Sequence, residues 1–220
     1  MSRIARIVLP GIPVHVTQRG NGRQRVFFDD GDRQLYVDLL REHAGRAGFR
    51  VWAYCLMPNH VHLVGLPERE RSLADGLGRT HANYARHFNL RTRGCGHVWQ
   101  ARFFSCPLDA RHLWRAMAYV ERNPVKAGLV DRATAWLHSS AASSSTPPDW
   151  PQVTRLPNEL ERLRPGLLKR PLPEEFEAEF RACCAGAVPR HVRLAESAVR
   201  EVRGALASMD RERRAVQGNR

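Results

Sequence analysis

The chain has 220 residues, a hydrophobic share of 43% and a formal charge of +13. That is enough apolar material for a real core, which excludes wholesale disorder. No apolar stretch reaches the roughly 20 residues of a membrane span. Arg supplies 33 of the 35 cationic side chains, a preference suited to planar, bidentate phosphate contact, so a polyanion is the first partner to expect, nucleic acid ahead of acidic lipid.

The charge is uneven: residues 1–138 carry a net +10 and nine of the ten His, and residues 139–220 carry +3. Five Cys (55, 95, 106, 183 and 184) include no C-x-x-C pair. Their odd number fits neither a disulfide framework nor a zinc ribbon. With no apolar run after the basic start that would make a secretory signal, the expected compartment is a reducing cytoplasm.

In chain order, Pro13–Thr17 is β-prone and runs into the turn-rich Arg19-Gly20-Asn21-Gly22. Helical spacing of Leu35, Tyr36, Leu39, Leu40 and Ala44 predicts a helix over 32–47, with Asp32 as N-cap. Phe49–Leu56 and Val61–Leu66 are strand-length apolar runs around the turn Met57-Pro58-Asn59. A second helix is expected from Ser72 to Phe88, with Asp75 completing a capping box. His97–Cys106 reads as a strand, and Asp109 can cap a last helix ending at Asn123-Pro124.

The order β-α-β-β-α-β-α predicts an α+β protein: a ferredoxin-like, RRM-like antiparallel sheet with helices on one face. The Ser-rich, Pro-terminated stretch 139–149 reads as a flexible linker. It divides a main domain over 1–138, where any chemistry is expected, from a C-terminal helical extension over 150–220. The extension's helical periodicity lies in Leu172–Cys184 and His191–Leu206.

His60-Val61-His62 opens a predicted strand, so the two imidazoles share one face. They can chelate one divalent ion, or stand as two surface histidines; the doublet alone does not decide. Tyr119 and Asn123, four apart on the last helix, project from the same side. Tyr119 lies beside the apolar stripe Leu113, Trp114, Met117 and Val120. Near a metal that polarises a phosphodiester, its phenol can act as a nucleophile and conserve bond energy in a covalent link. It can equally be an ordinary amphipathic-helix residue, and Asn123 before Pro124 an ordinary helix terminator.

The stretch Tyr54-Cys55-Leu56-Met57-Pro58-Asn59-His60-Val61-His62-Leu63 resembles the HUH motif of the single-tyrosine transposases of small bacterial insertion sequences. The closer resemblance is to their REP-associated tyrosine transposase branch. Supporting blocks are His15–Asn21, Gly96–Phe104 and Tyr119–Val130, in family order and spacing. The sequence departs from the pattern at Val14, where relatives usually carry an aromatic, and residues after the linker share little with it.

The resemblance implies Tyr119 as nucleophile, His60 and His62 as ligands of Mg²⁺ or Mn²⁺, and Asn123 in the third-ligand position. It implies metal-dependent cleavage and strand transfer of single-stranded hairpin DNA through a 5′-phosphotyrosine, with no nucleotide cofactor, by a monomer or homodimer associated with the nucleoid. The DNA-binding set is then Gln18, Arg19, Asn21, Arg23 and Arg25 in and before the Gly/Asn loop, with Trp99 and Arg102 from the aromatic segment. Arg would neutralise phosphate while aromatic faces stack on bases. The competing reading is a non-catalytic, domesticated single-stranded nucleic-acid-binding protein on the same fold.

Overall fold

Alternation along one strand sets the layout. In the computed structural model, which describes residues 8–108 and 110–144, β1 (Val14–Arg19), β2 (Phe49–Met57), β3 (His60–Pro67) and β4 (Phe104–Pro107) form one antiparallel sheet of order β2-β3-β1-β4. On β3, Val61 and Leu63 point to one side and Val64 and Leu66 to the other, each pair into its own apolar cluster. The first cluster takes Tyr36, Val37 and Leu40 from α1 (Asp30–Ala47) and Leu73, Leu77 and Tyr84 from α2 (Ser72–Thr92). The second takes Leu113, Ala116, Met117 and Val120 from α3 (Ala110–Lys126).

The ferredoxin-like antiparallel sheet expected from the element order is therefore present, but only α1 and α2 share a face. The third helix covers the opposite face, because its apolar stripe finds Trp52, Met57, Val64 and Leu66 there. A bulge between Val51 and Ala53 resets the alternation on β2, so Trp52 and Ala53 both join the α3 side while Tyr54 and Leu56 face α1 and α2.

Boundaries differ where side chains take unexpected partners. Asp29, not Asp32, caps α1, its carboxylate accepting from the Asp32 amide at 3.0 Å. Asp32 is instead buried, accepting from the Phe28 amide (2.8 Å) and from Arg91 (2.6 Å) on α2. Ser72 does not cap α2 by the expected box: its hydroxyl accepts from the Arg69 amide, and Asp75 pairs with Arg71. The strand read over 97–106 shrinks to β4, since residues 98–101 hang on β1 by isolated bonds, among them Gln100 N–H to the Arg19 carbonyl.

Pro124 does not end α3. The ring removes one amide donor, yet the helix runs to Lys126 and closes at Gly128, which has φ of +67°. The first residues of the stretch read as linker are ordered: Ser140–Ser144 forms a 3-10 turn, with Ser139 through Ala142 buried. The Asp109 cap, residues 145–149 of the linker and the helices expected over 150–220 lie outside the described residues.

Candidate active site

Alternation puts His60 and His62 on the face that α3 covers, together with Val64 and Leu66. Their rings stand 4.8 Å apart between centroids and nearly perpendicular, at 82°. His60 Nδ1 lies 2.6 Å from Asn59 Oδ1, and His62 Nδ1 lies 3.1 Å from His15 Nε2. The second contact crosses the sheet diagonally, since β1 pairs with β3 through His15 opposite Val64 and Thr17 opposite His62.

Burial strips these imidazoles of charge. The His60 pKa is lowered to about 4, first by desolvation and then by the Arg19 cation, against a weaker opposing hydrogen bond with Asn123. His62 falls well below its ordinary value through burial, with further repulsion from His60, His15 and Arg19. Fully buried His15 is lowered to about 3 by desolvation. At neutral pH all three are uncharged, which leaves ring lone pairs able to bind a cation.

Tyr119 faces this group from α3. Its ring centroid is 5.8 Å from that of His62, at an interplanar angle of 86°. The side chain is only 7% exposed and belongs to the second apolar cluster, so its position beside the sequence-level stripe does not leave it in water. One turn on, Asn123 donates from Nδ2 to the Tyr119 carbonyl at 3.4 Å, and its side chain also hydrogen-bonds His60. The structure thus brings together Tyr119, Asn123, His60 and His62, the four residues singled out for chemistry.

Two neighbours join them that the sequence does not assign to the site. His15 is legible only as part of a sequence block; its role against His62 depends on strand register. Lys126 places Nζ 5.9 Å from the Tyr119 ring centroid. The spacing 119, 123, 126 follows one helix stripe and is the signal available for it.

The donor set fits a divalent cation. Both rings are neutral and have Nδ1 engaged by a neighbour, so Nε2 is the atom through which each would bind, as ligating histidines held by an outer partner do. With Asn123 Nδ2 turned to a backbone carbonyl, its Oδ1 is the amide atom suited to a ligand. Among the described residues no three His, Cys, Asp or Glu form a metal-binding group. A cation here would therefore rest on two imidazoles and an amide oxygen.

The residues expected to touch DNA separate into two groups. Arg19, Asn21, Arg23 and Arg102 are exposed. Arg19 pairs directly across from His60. Asn21 and Arg23 occupy a 3-10 turn held to the β2–β3 turn by Gly20 N–H to the Asn59 carbonyl and Asn59 Nδ2 to the Arg23 carbonyl. Glycine is required at position 20, where a Cβ would come within 2.5 Å of the Gln24 carbonyl oxygen. Gln18, in contrast, is buried and donates to the Ala101 carbonyl. Trp99 packs on Tyr84 and His81 and gives its indole N–H to the His81 carbonyl. Arg25 is exposed but its guanidinium bonds the Phe27 and Phe28 carbonyls.

An antiparallel sheet whose covered face joins a tyrosine to paired histidines defines the class, and comparison with known proteins supplies the family. The family model described as "Transposase IS200 like" matches residues 9–123, just over half of the chain, and the chain belongs to that transposase family. A protein of Haemophilus influenzae named "Putative REP-associated tyrosine transposase" is 30% identical over 118 residues. That alignment takes in 46% of this chain and 66% of the relative, a little under two thirds of its length. Among solved structures, a REP-associated tyrosine transposase bound to a REP hairpin is similar with a TM-score of 0.51 at 22% identity, covering 79% of this chain and all of that one. That likeness shows a shared fold. A crystal structure described as that of "a putative transposase" from Deinococcus radiodurans aligns over 56% of this chain and 97% of its own, at 20% identity and a TM-score of 0.38.

Proposed function

We propose that this protein cuts and rejoins single-stranded DNA at hairpin sequences, with Tyr119 as nucleophile. The observation that carries the reading is the perpendicular approach of the Tyr119 ring to His62 at 5.8 Å, within one chain and on one face of the sheet. Family membership, and the REP hairpin bound by the REP-associated transposase of similar fold, support the substrate class.

The chain's residues divide the work. Arg19, beside His60, and the exposed Arg23 and Arg102 neutralise backbone phosphates. The Tyr119 oxygen forms a bond to phosphorus while the bond from phosphorus to the 3′ oxygen breaks, and in net terms the phenolic proton passes to that leaving 3′ oxygen. The products are a 5′-phosphotyrosine and a free 3′-OH. Attack by a 3′-OH on that linkage reverses the step, so strands rejoin without ATP. His60, His62 and Asn123 would hold Mg²⁺ or Mn²⁺, which when bound supplies Lewis-acid stabilisation of phosphate charge. His15 keeps the His62 ring oriented through the 3.1 Å contact. Asn123 links Tyr119's backbone to His60, so nucleophile and ligand pair share one support.

The test is a denaturing gel with labelled hairpin oligonucleotides and Mn²⁺. Wild type should give a slow-migrating covalent adduct; Tyr119→Phe should bind the hairpin equally well and give none. EDTA, or His60→Ala with His62→Ala, should stop cleavage with hairpin binding retained. A protein that binds hairpins but yields no adduct under any divalent ion would be the non-catalytic binding protein instead.

A further inference from the structure

The segment after α3 folds back along the free edge of β2. Trp136 donates its indole N–H to the Leu56 carbonyl (3.2 Å), the Leu56 amide donates to the His138 carbonyl (2.9 Å), and Ser139 bridges Cys55 in antiparallel fashion. Covering an outer strand in this way removes a template for unwanted pairing. The next residue does something an edge cover does not require. Ser140 is 5% exposed; its hydroxyl oxygen accepts from the Tyr54 amide (3.0 Å) and its proton goes to Glu121 Oε1 at 2.6 Å. Glu121 is 1% exposed and lies two residues after Tyr119. This short bond joins α3 to the sheet.

We propose that Glu121 and Ser140 are positioning residues: their hydrogen bond latches the tyrosine-bearing helix to β2, so that the Tyr119 phenol is held against His62. This rests on the reading of Tyr119 as nucleophile. The far end of the same segment is fixed independently. Trp136 lies 5.7 Å from the Arg33 guanidinium, and His138 Nε2 lies 3.1 Å from Asp30, both acceptor and cation belonging to α1 on the other face of the sheet. The segment thus bridges from α1 around the β2 edge to α3. A displaced helix moves the attacking oxygen, and misplacement near 1 Å lowers a rate by about 100-fold.

The experiment measures single-turnover adduct formation by the full chain on a saturating hairpin oligonucleotide with Mn²⁺, beside the hairpin Kd and Tm. Ser140→Ala and Glu121→Ala should slow adduct formation by about 10- to 100-fold with Kd unchanged. Ser140→Thr, which keeps the hydroxyl, and Glu121→Gln, which keeps an acceptor, should restore most of the rate. Leu77→Ala, on α2 in the other cluster, supplies a loss of Tm without a slower rate in the folded protein. Should Ser140→Ala not fold, Ser140→Cys, with its longer and weaker bond, should give an intermediate rate. The proposal is overturned by a wild-type rate in Ser140→Ala or Ser140→Cys, by an equal slowing in Leu77→Ala at the same loss of Tm, or by failure of Ser140→Thr to rescue. Adducts formed by Tyr119→Phe would overturn the nucleophile assignment itself, which separates the two failures.

Discussion

Tyr119 and His62 of one chain meet edge to face, 5.8 Å between ring centroids, with the helix that carries the tyrosine packed on the strand that carries the histidine. Under the proposed function, Tyr119 acts with the imidazole pair of its own chain. Mixing a Tyr119→Phe chain with a His60→Ala, His62→Ala chain should give no more covalent adduct than either alone. Adduct recovered in the mixture would show that tyrosine and histidines come from different chains.

The three imidazoles give the metal-free protein a defined acid sensitivity. His60 is held near 4 and His15 near 3, and His62 is lowered as well, whereas unfolded imidazoles titrate near 6.5. Between pH 6.5 and 4 the unfolded chain binds protons that the folded one refuses, so stability falls as pH falls through that window. Denaturant midpoints taken from pH 7 to 4.5 should decline steadily. His15→Gln, which can still hydrogen-bond His62, should flatten the decline by roughly one group's share, at most about 1.4 kcal/mol per pH unit. An unaltered slope in that variant would contradict the buried, neutral His15.

Arg19 sits across from His60, and its cation lowers the pKa of both His60 and His62. A phosphate drawn to the imidazoles would meet that charge. Arg19→Gln should weaken hairpin binding and reduce the magnitude of the salt slope by about one unit, read from Kd between 50 and 200 mM salt. Arg41→Gln, whose charge pairs with Asp38 on the outside of α1, should leave the slope as it is. Equal slopes for Arg19→Gln and wild type would remove Arg19 from the DNA contact.

Local patterns make much of the site readable from sequence. Alternation alone places His60 and His62 on one face, and a spacing of four places Tyr119 and Asn123 together on a helix. What stays hidden depends on pairing between distant segments. His15 meets His62 only because β1 and β3 take one register among several, and nothing within either segment specifies it. The face chosen by α3 follows from Trp52 and Met57, far earlier in the chain, and from a bulge that turns both Trp52 and Ala53 to that side. Ser139 and Ser140 look like linker by composition, yet small hydroxyl side chains are the ones that fit against a strand edge and satisfy its amides. Gln18 and Trp99 lie in blocks that suggest DNA contact, while the fold uses their polar atoms to fasten loop 98–103 to β1 and α2.

The most direct measurement is to trap the covalent adduct on a hairpin oligonucleotide, digest it with nuclease and trypsin, and weigh the peptides. The tryptic fragment 116–122 should carry a 5′-linked nucleotide remnant on Tyr119. Cleaved DNA with that fragment unmodified, or the remnant on any other residue, would contradict the account.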